Sequence, residues 1–195
     1  MSFWRWVCAF FILLLICLPS LKEHYGQIKK EFKFLLILGL FGVTSYNCLI
    51  YSAMHYTTVI NASIINSVMP VVTFLLAMLF LNEKPTTKQL VGIMISVVGA
   101  LTIIFRGNPL LALSLSLNPG DVLVLFALTF WSVYTVLIRW RKTRLSLLIF
   151  LFVTVGFGVV FHFPLIAVEY YFKGGFQLTR EITFAFAYFA IFPSI

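Results

Sequence analysis

Neutral polar side chains inside long apolar segments are the residues of this sequence that could recognise a ligand. Their hydroxyl, amide and indole groups would bind a small molecule through hydrogen bonds and ring contacts. No nucleophile–base pair or metal-ligand cluster accompanies them, and no Lys, Arg, Asp or Glu lies mid-segment to mark a proton relay. The residues are Asn47, Tyr51, Asn61, Ser63, Asn66, Ser67, Thr73, Trp131, Ser132, Tyr134, Thr135 and His162.

The face around Pro70 is the best candidate for a binding surface. Ser63, Ser67, Pro70 and Phe74 recur at helical spacing, with Asn66 beside them. Small and polar residues on one face also serve helix packing in membranes, and packing alone accounts for this face. A proline at mid-membrane breaks the helix and frees a carbonyl, and transporters present such backbone groups to substrate. The two interpretations are compatible, and both stay open.

Other chemistry-bearing residues have simpler structural interpretations. Thr86 and Gln89 have the spacing of a capping box, and Asp121 follows Asn118 where an acid favours a helix N-terminus. His162 is predicted to be an interhelical histidine with satisfied hydrogen bonds rather than a proton carrier. These residues therefore predict helix ends and packing, not catalysis.

The cysteines and the excess positive charge add no cofactor or nucleic-acid site. Cys8, Cys17 and Cys48 lie in apolar segments without metal-ligand spacing. The net charge of +8 comes from cations beside hydrophobic segments, where they meet lipid headgroups. We therefore expect membrane lipids and a small-molecule substrate as partners, no nucleic acid, no metal and no cofactor, and we leave a homodimer open.

Composition places the chain in a membrane. Hydrophobic residues make up 62% of it and charged residues 10%, against roughly 25% charged in soluble domains. Its apolar blocks are each long enough to cross the hydrocarbon core as a helix. We predict an all-α integral membrane protein, a multi-span helical bundle. Its predicted spans are 3–18, 34–54, 59–81, 89–105, 120–139 and 146–170, with a seventh from 182 onward.

Lys and Arg are distributed unevenly between the connections. Segments 20–33, 82–88 and 139–145 carry ten of the 14 cations. Because basic residues are retained on the cytoplasmic side, these three loops are predicted to be cytoplasmic, in an inner or plasma membrane. The first span then runs inward.

Both ends of the sequence suggest a longer natural protein. An inward-running first span needs an earlier helix to carry the chain out, and the last span has no charged flank after it. A secretory signal ending at Pro19 and Ser20 is the alternative, but it would place Lys22 to Lys33 outside. We expect that the first helix and the last two helices lie outside the 195 residues.

A series of short motifs runs along most of the chain in a specific order. They are IYSAMHYTT at 50–58, NAS at 61–63, MPV at 69–71, LNEK at 81–84, QLVG at 89–92, GD at 120–121, FWSVY at 130–134 and AYFAIFPS at 187–194. Together they resemble the drug/metabolite transporter superfamily, in particular its EamA-type domain.

The resemblance implies a ten-helix plan of two inverted five-helix repeats, in which the seven spans are helices two to eight. It assigns 1–106 to most of the first repeat, 107–118 to a linker and 119–195 to the start of the second repeat. It also implies export or exchange of small metabolites, such as amino acids or drug-like compounds, through a central cavity by alternating access.

The resemblance also implies roles for individual residues. Asn66, Pro70, Trp131 and Tyr134 would face the cavity, and Glu83 would close its cytoplasmic end as a gate. Polar residues of the preceding span add to these, so the cavity candidates are Asn47, Tyr51, Asn66, Pro70, Trp131 and Tyr134.

Three other classes of protein were weighed against a transporter. A seven-helix receptor fits the span count, but the sequence has no extracellular ligand domain or cysteine pair. A membrane enzyme would need a catalytic constellation, and we expect no enzyme activity because none is present. A non-transporting remnant, or a partner of another membrane protein, stays open.

Overall fold

The computed structural model describes residues 2–82, 86–104, 118–141 and 143–173. These residues form eight α-helices, a 3₁₀ turn and a π-helical segment. They fall into two compact units, divided between Thr44 and Ser45 and again before Thr143, so that the second unit is the middle of the chain. Each unit combines helices from both predicted repeats, whose boundaries stay a prediction.

The elements follow the predicted spans closely. In chain order they are α1 Ser2–Cys17, the 3₁₀ turn Leu18–Ser20, α2 Leu21–Leu38, the π segment Gly39–Ser45, α3 Tyr46–Ala53, α4 Val59–Asn66, α5 Met69–Leu81, α6 Thr87–Ile104, α7 Pro119–Trp140 and α8 Leu147–Lys173.

Most of this helix is long and apolar enough to cross a membrane. The qualifying runs are Phe3–Ala53, Val59–Leu81, Pro119–Trp140 and Leu147–Val168, and α6 contains a shorter apolar stretch at Thr87–Gly99. The predicted all-helical membrane fold is confirmed. The seventh predicted span, from 182 onward, lies outside the described residues.

In the first unit the chain folds back on itself against α8. Phe10 stacks on Phe152 with ring centroids 5.1 Å apart, and Phe32 meets Phe157 edge-on at 5.2 Å. In one straight helix Phe10 and Phe32 would be about 33 Å apart, yet they contact neighbouring turns of α8. The chain therefore reverses between them, and the interruption is the proline-containing turn Leu18–Ser20.

The prediction of a loop at 20–33 is wrong, because the residues from Leu21 onward belong to α2. Lys, Glu and Gln are good helix formers. Gln27 also donates from Nε2 to Glu31 one turn later, at 3.0 Å. The charges mark where the chain leaves the apolar region rather than where helix ends. For the same reason 87–88 belong to α6 and 139–140 to α7.

The π segment approaches α8 without intervening side chains. A Cβ added to Gly39 would lie 2.8 Å from the Phe157 Cβ and 2.8 Å from the Thr154 carbonyl oxygen. Five residues on, the Thr44 hydroxyl donates to the Gly158 carbonyl at 3.2 Å. Glycine at position 39 thus permits backbone contact that any side chain would prevent.

We expect Gly39→Ala to lower the free energy of unfolding by about 1–3 kcal/mol, because the methyl group overpacks a backbone contact. Thermal unfolding in detergent, followed by fluorescence, measures the effect. Gly26→Ala is the matched control, since a Cβ at exposed Gly26 in α2 meets nothing within 4 Å. Equal melting temperatures for the two variants would contradict the contact.

In the second unit α7 is the central helix. α3, α4 and α5 pack against α7, and α6 packs against α4 and α5. Ala53, Ala62 and Val124, from three different helices, form a buried core between them. Small residues here let the helix backbones approach closely.

The start of α7 is held by a capping box and by the chain before α4. The Asn118 side chain accepts from the Asp121 amide at 2.9 Å, and the Asp121 carboxylate accepts from the Asn118 amide at 3.3 Å. The same carboxylate accepts from the Thr57 hydroxyl at 2.8 Å. The predicted capping role of Asp121 is confirmed, and it also ties α7 to the α3–α4 connection.

The predicted span 59–81 is divided into two helices. α4 ends at Asn66 and α5 begins at Met69, with Ser67 and Val68 between them. Pro70 lies in the first turn of α5, where the missing N–H costs α5 nothing, but it cannot donate to the Asn66 carbonyl four residues back. The Val68 amide bonds three residues back, at 3.0 Å, which tightens the end of α4. The break predicted at the proline is confirmed.

Candidate functional site

A cavity of about 390 Å³ lies between α5 and α7 in the second unit. Its volume is within the range of sites that hold small organic molecules. It is lined by Met69, Pro70, Thr73, Phe74, Ala77, Met78, Gln89, Trp131, Thr135 and Arg139.

One stripe of α7 forms a wall of this cavity. Trp131, Thr135 and Arg139 are four residues apart and therefore lie above one another on the same face. At 1.5 Å per residue the stripe extends about 12 Å along the axis. The cavity therefore has an aromatic end at Trp131 and a cationic end at Arg139.

The opposite wall comes from α5, which runs parallel to α7. The Thr73 and Ser132 hydroxyls are hydrogen-bonded at 2.8 Å, and one turn and a half further on Phe80 lies with Leu137 and Trp140. Ser132 is fully buried. This bond fixes the distance between the helices where Pro70 enters the cavity wall.

Aromatic contacts hold the indole of Trp131 in place. Its ring centroid lies 4.8 Å from that of Tyr46 in α3 and 5.3 Å from that of Tyr134 in α7. Such tilted ring pairs add about 0.5–1.5 kcal/mol each beyond the area they bury. Trp131 is thus presented to the cavity in a defined orientation.

Gln89 brings an amide donor to the cavity. Its Oε1 accepts from the Thr86 amide at 2.9 Å and from the Thr86 hydroxyl at 3.1 Å. The Gln89 amide in turn donates to the Thr86 hydroxyl at 3.4 Å, so the predicted capping box is confirmed. Since Oε1 is occupied, Gln89 offers the N–H groups of Nε2 to the cavity.

Comparison with known proteins identifies the family. The model of the EamA-like transporter family matches residues 1–105, more than half of the 195. This chain belongs to that family. The resemblance recognised in the sequence motifs is therefore confirmed.

Curated relatives of this EamA-like transporter carry transporter names of their own. An uncharacterized transporter of Bacillus subtilis, YyaM, is 29% identical over 70% of this chain and 45% of its own length. A second, YrdR, is 26% identical over 82% of this chain and 52% of its own length. An uncharacterized transporter of Methanothermobacter thermautotrophicus is 28% identical over 65% of this chain and 37% of its own.

This chain of the EamA-like family spans about half the length of the Bacillus relatives it matches. No solved structure matches it. Family membership makes it a membrane transporter protein by descent, not an enzyme.

Two of the predicted cavity residues lie together in this family member. Pro70 and Trp131 line the cavity from opposite walls. Tyr134 packs against Trp131 but is not among the lining residues. Contact of these residues with substrate stays a prediction.

The other predicted site residues lie elsewhere in the unit or outside the described residues. Asn47 is buried, Tyr51 is 41% exposed, and neither lines the cavity. Asn66 ends α4 beside the break, and its Oδ1 is buried without a hydrogen-bond partner among the described residues. The gate candidate Glu83 lies outside the described residues.

The prediction for His162 is wrong in its partner. His162 is buried in α8, and its Nδ1 lies 3.0 Å from the Gly158 carbonyl oxygen of the same helix. Its Nε2 has no partner among the described residues. The ring therefore bonds within one helix, because the i−4 carbonyl is nearer than any polar group of a neighbouring helix.

Several lining residues were missed at the sequence level. Arg139 was treated as a loop cation that sets orientation, and Gln89 as a cap only. The four-residue spacing from Trp131 through Thr135 would have found Arg139, because those positions share one helix face. Thr73 was noted as polar, but its bond to Ser132 requires knowledge of which helices are neighbours.

Proposed function

We propose that the protein exports small organic metabolites, such as amino acids or drug-like compounds, by alternating access through the cavity between α5 and α7. In this proposal the chain contributes to a ten-helix bundle of two inverted five-helix repeats in a cell membrane. Membrane lipids surround it, and the small-molecule substrate is its only required ligand.

The observation that carries the proposal is the broken helix beside the cavity. The run Val59–Leu81 is long enough to cross the membrane, yet it is divided at Ser67–Val68. Pro70, immediately after the break, lines the cavity opposite Trp131. Broken helices next to a midplane cavity are a recurring arrangement in transporters, because the break exposes backbone groups and permits the two halves to move.

The chemistry of the cavity wall also favours binding over catalysis. Its described residues combine apolar and aromatic surface with a few hydroxyl, amide and guanidinium donors. This is the composition of small-molecule binding sites. Among the described residues no group of three His, Cys, Asp or Glu is placed to hold a metal ion.

A comparison of released metabolites tests the proposal. Cells that express the protein and cells that carry the same plasmid without the gene are compared by mass spectrometry of the medium. We expect at least one small organic metabolite to accumulate outside faster when the protein is present in the membrane. Identical release profiles, with the protein shown to be in the membrane fraction, would contradict export.

Labelling with a membrane-impermeant thiol reagent tests the proposed sidedness. Lys29 is exposed on α2, and Tyr56 is 60% exposed in the α3–α4 connection. With basic segments cytoplasmic, Tyr56→Cys should react in intact cells and Lys29→Cys only after the membrane is opened. The reverse pattern would overturn the orientation of segments 20–33, 82–88 and 139–145.

A further inference from the structure

The cavity between α5 and α7 is polarised along its length, and this polarity bears on the class of substrate. Pro70 and Trp131 lie at one end, since both occur early in their helices' paths along the cavity. Met78 and Arg139 lie eight residues further along the parallel helices, about 12 Å away. Because α6 begins shortly after α5 ends, Gln89 in its first turn lies at the Arg139 end.

Donors dominate the polar end. The guanidinium of Arg139 has five N–H groups, so an interaction within the protein leaves others for a ligand. Gln89 presents Nε2, because its Oε1 is bound to Thr86. Among the lining residues that the structure describes, none is Asp or Glu. This end therefore suits an acceptor with negative charge.

The other end suits an apolar or aromatic group. Trp131 is fixed by Tyr46 and Tyr134, and Pro70 and Phe74 cover the opposite wall. A flat ring placed against the indole would bury apolar surface and make ring contacts. The hydroxyl of Thr135, between the two ends, donates to the Trp131 carbonyl at 2.9 Å and so leaves the middle of the α7 wall largely apolar.

The geometry points to organic monocarboxylates with a compact apolar or aromatic body as the substrate class, with Arg139 binding the carboxylate and Trp131 the body. This inference rests on the proposed transport function and refines it. A single guanidinium balances a single negative charge and can bind a carboxylate through two parallel hydrogen bonds. A doubly charged phosphate ester would keep one charge without a counterion.

The inference can be tested with three probes that share one body and differ in end charge. They are 3-phenylpropionate, 3-phenylpropionamide and 3-phenylpropylamine, titrated calorimetrically into the purified full chain in detergent. We expect 3-phenylpropionate to bind at least about tenfold more tightly than the amide, and the amine to bind most weakly. Partition into the micelle is common to all measurements with one probe and cancels between variants.

Variants at the cationic end locate the effect. Arg139→Gln should weaken binding of 3-phenylpropionate about tenfold and leave the amide unchanged, whereas Arg139→Lys should retain part of the preference. Arg141→Gln is the matched control, because it removes the same charge two residues away from a residue that does not line the cavity. An unchanged preference in Arg139→Gln, an equal loss in Arg141→Gln, or no binding of any probe would overturn the inference.

Failure of this inference is distinguishable from failure of the proposed function. If the amide binds as tightly as the carboxylate and Trp131→Ala weakens both equally, the cavity binds small molecules without selecting carboxylates. The transport proposal then stands and the substrate class is wrong. If cells show no export at all, the transport proposal fails whatever the probes do.

Discussion

Replacing Trp131 by alanine is expected to lower the rate of metabolite export about tenfold. The indole lines the cavity and is oriented by Tyr46 and Tyr134, so its removal takes away the largest apolar surface offered to a ligand. Loss of about 1–2 kcal/mol of binding corresponds to a factor of about 5–30. The measurement is the initial rate of release of the metabolite found in the export screen, at matched levels of protein in the membrane.

Trp140→Ala is the control for this substitution. Trp140 is on the same helix and 62% exposed, and it does not line the cavity. We expect near wild-type export from it, and a reduced rate from Asn66→Ala, whose buried Oδ1 lies beside the helix break. Wild-type export in both Trp131→Ala and Asn66→Ala, each inserted normally, would remove the cavity from the transport path.

Asp121→Ala should have the largest effect on stability. Its carboxylate is 7% exposed and accepts hydrogen bonds from Thr57 and from the Asn118 amide at the start of α7. Removing it deletes a helix cap and leaves Thr57 without its acceptor, so the free energy of unfolding should fall by about 2–4 kcal/mol. Thermal unfolding in detergent measures the change.

Two further variants show whether this effect comes from the hydrogen bonds. Asp121→Asn keeps an acceptor for Thr57 and should recover part of the loss. Thr129→Ala removes an exposed hydroxyl that bonds only the carbonyl of Leu125 in its own helix, at 2.8 Å. Its effect should stay within about 0.5 kcal/mol. A loss in Thr129→Ala as large as that in Asp121→Ala would mean that any polar change on α7 destabilises the protein.

Features governed by local chemistry were predictable from the sequence. Apolar block length predicted the spans, and the capping patterns at Thr86 and Asn118 predicted where α6 and α7 begin. Pro70 predicted the break in the run 59–81, because proline lacks the N–H that the preceding turn requires. The segment 20–33 was mistaken for a loop because charge was used as a loop signal, although its residues favour helix.

The site depended on tertiary neighbours that the sequence does not reveal. Trp131 was identified because a polar aromatic in the middle of a span is unusual. Tyr134 was placed with it, but a separation of three residues directs it beside the cavity rather than into it. Arg139 and Gln89 were missed because each already had a sufficient local role, as an orienting cation and as a cap.

Accessibility of Thr135 from the two sides of the membrane tests most directly whether the cavity alternates. Thr135→Cys, in a chain with Cys8, Cys17 and Cys48 replaced by alanine, is treated with a charged thiol reagent from either side. Thr129→Cys, exposed on another face of α7, is the control. The account predicts reaction of Thr135→Cys from both sides and little reaction of Thr129→Cys. Reaction from one side only under every condition, or from neither, would contradict alternating access through this cavity.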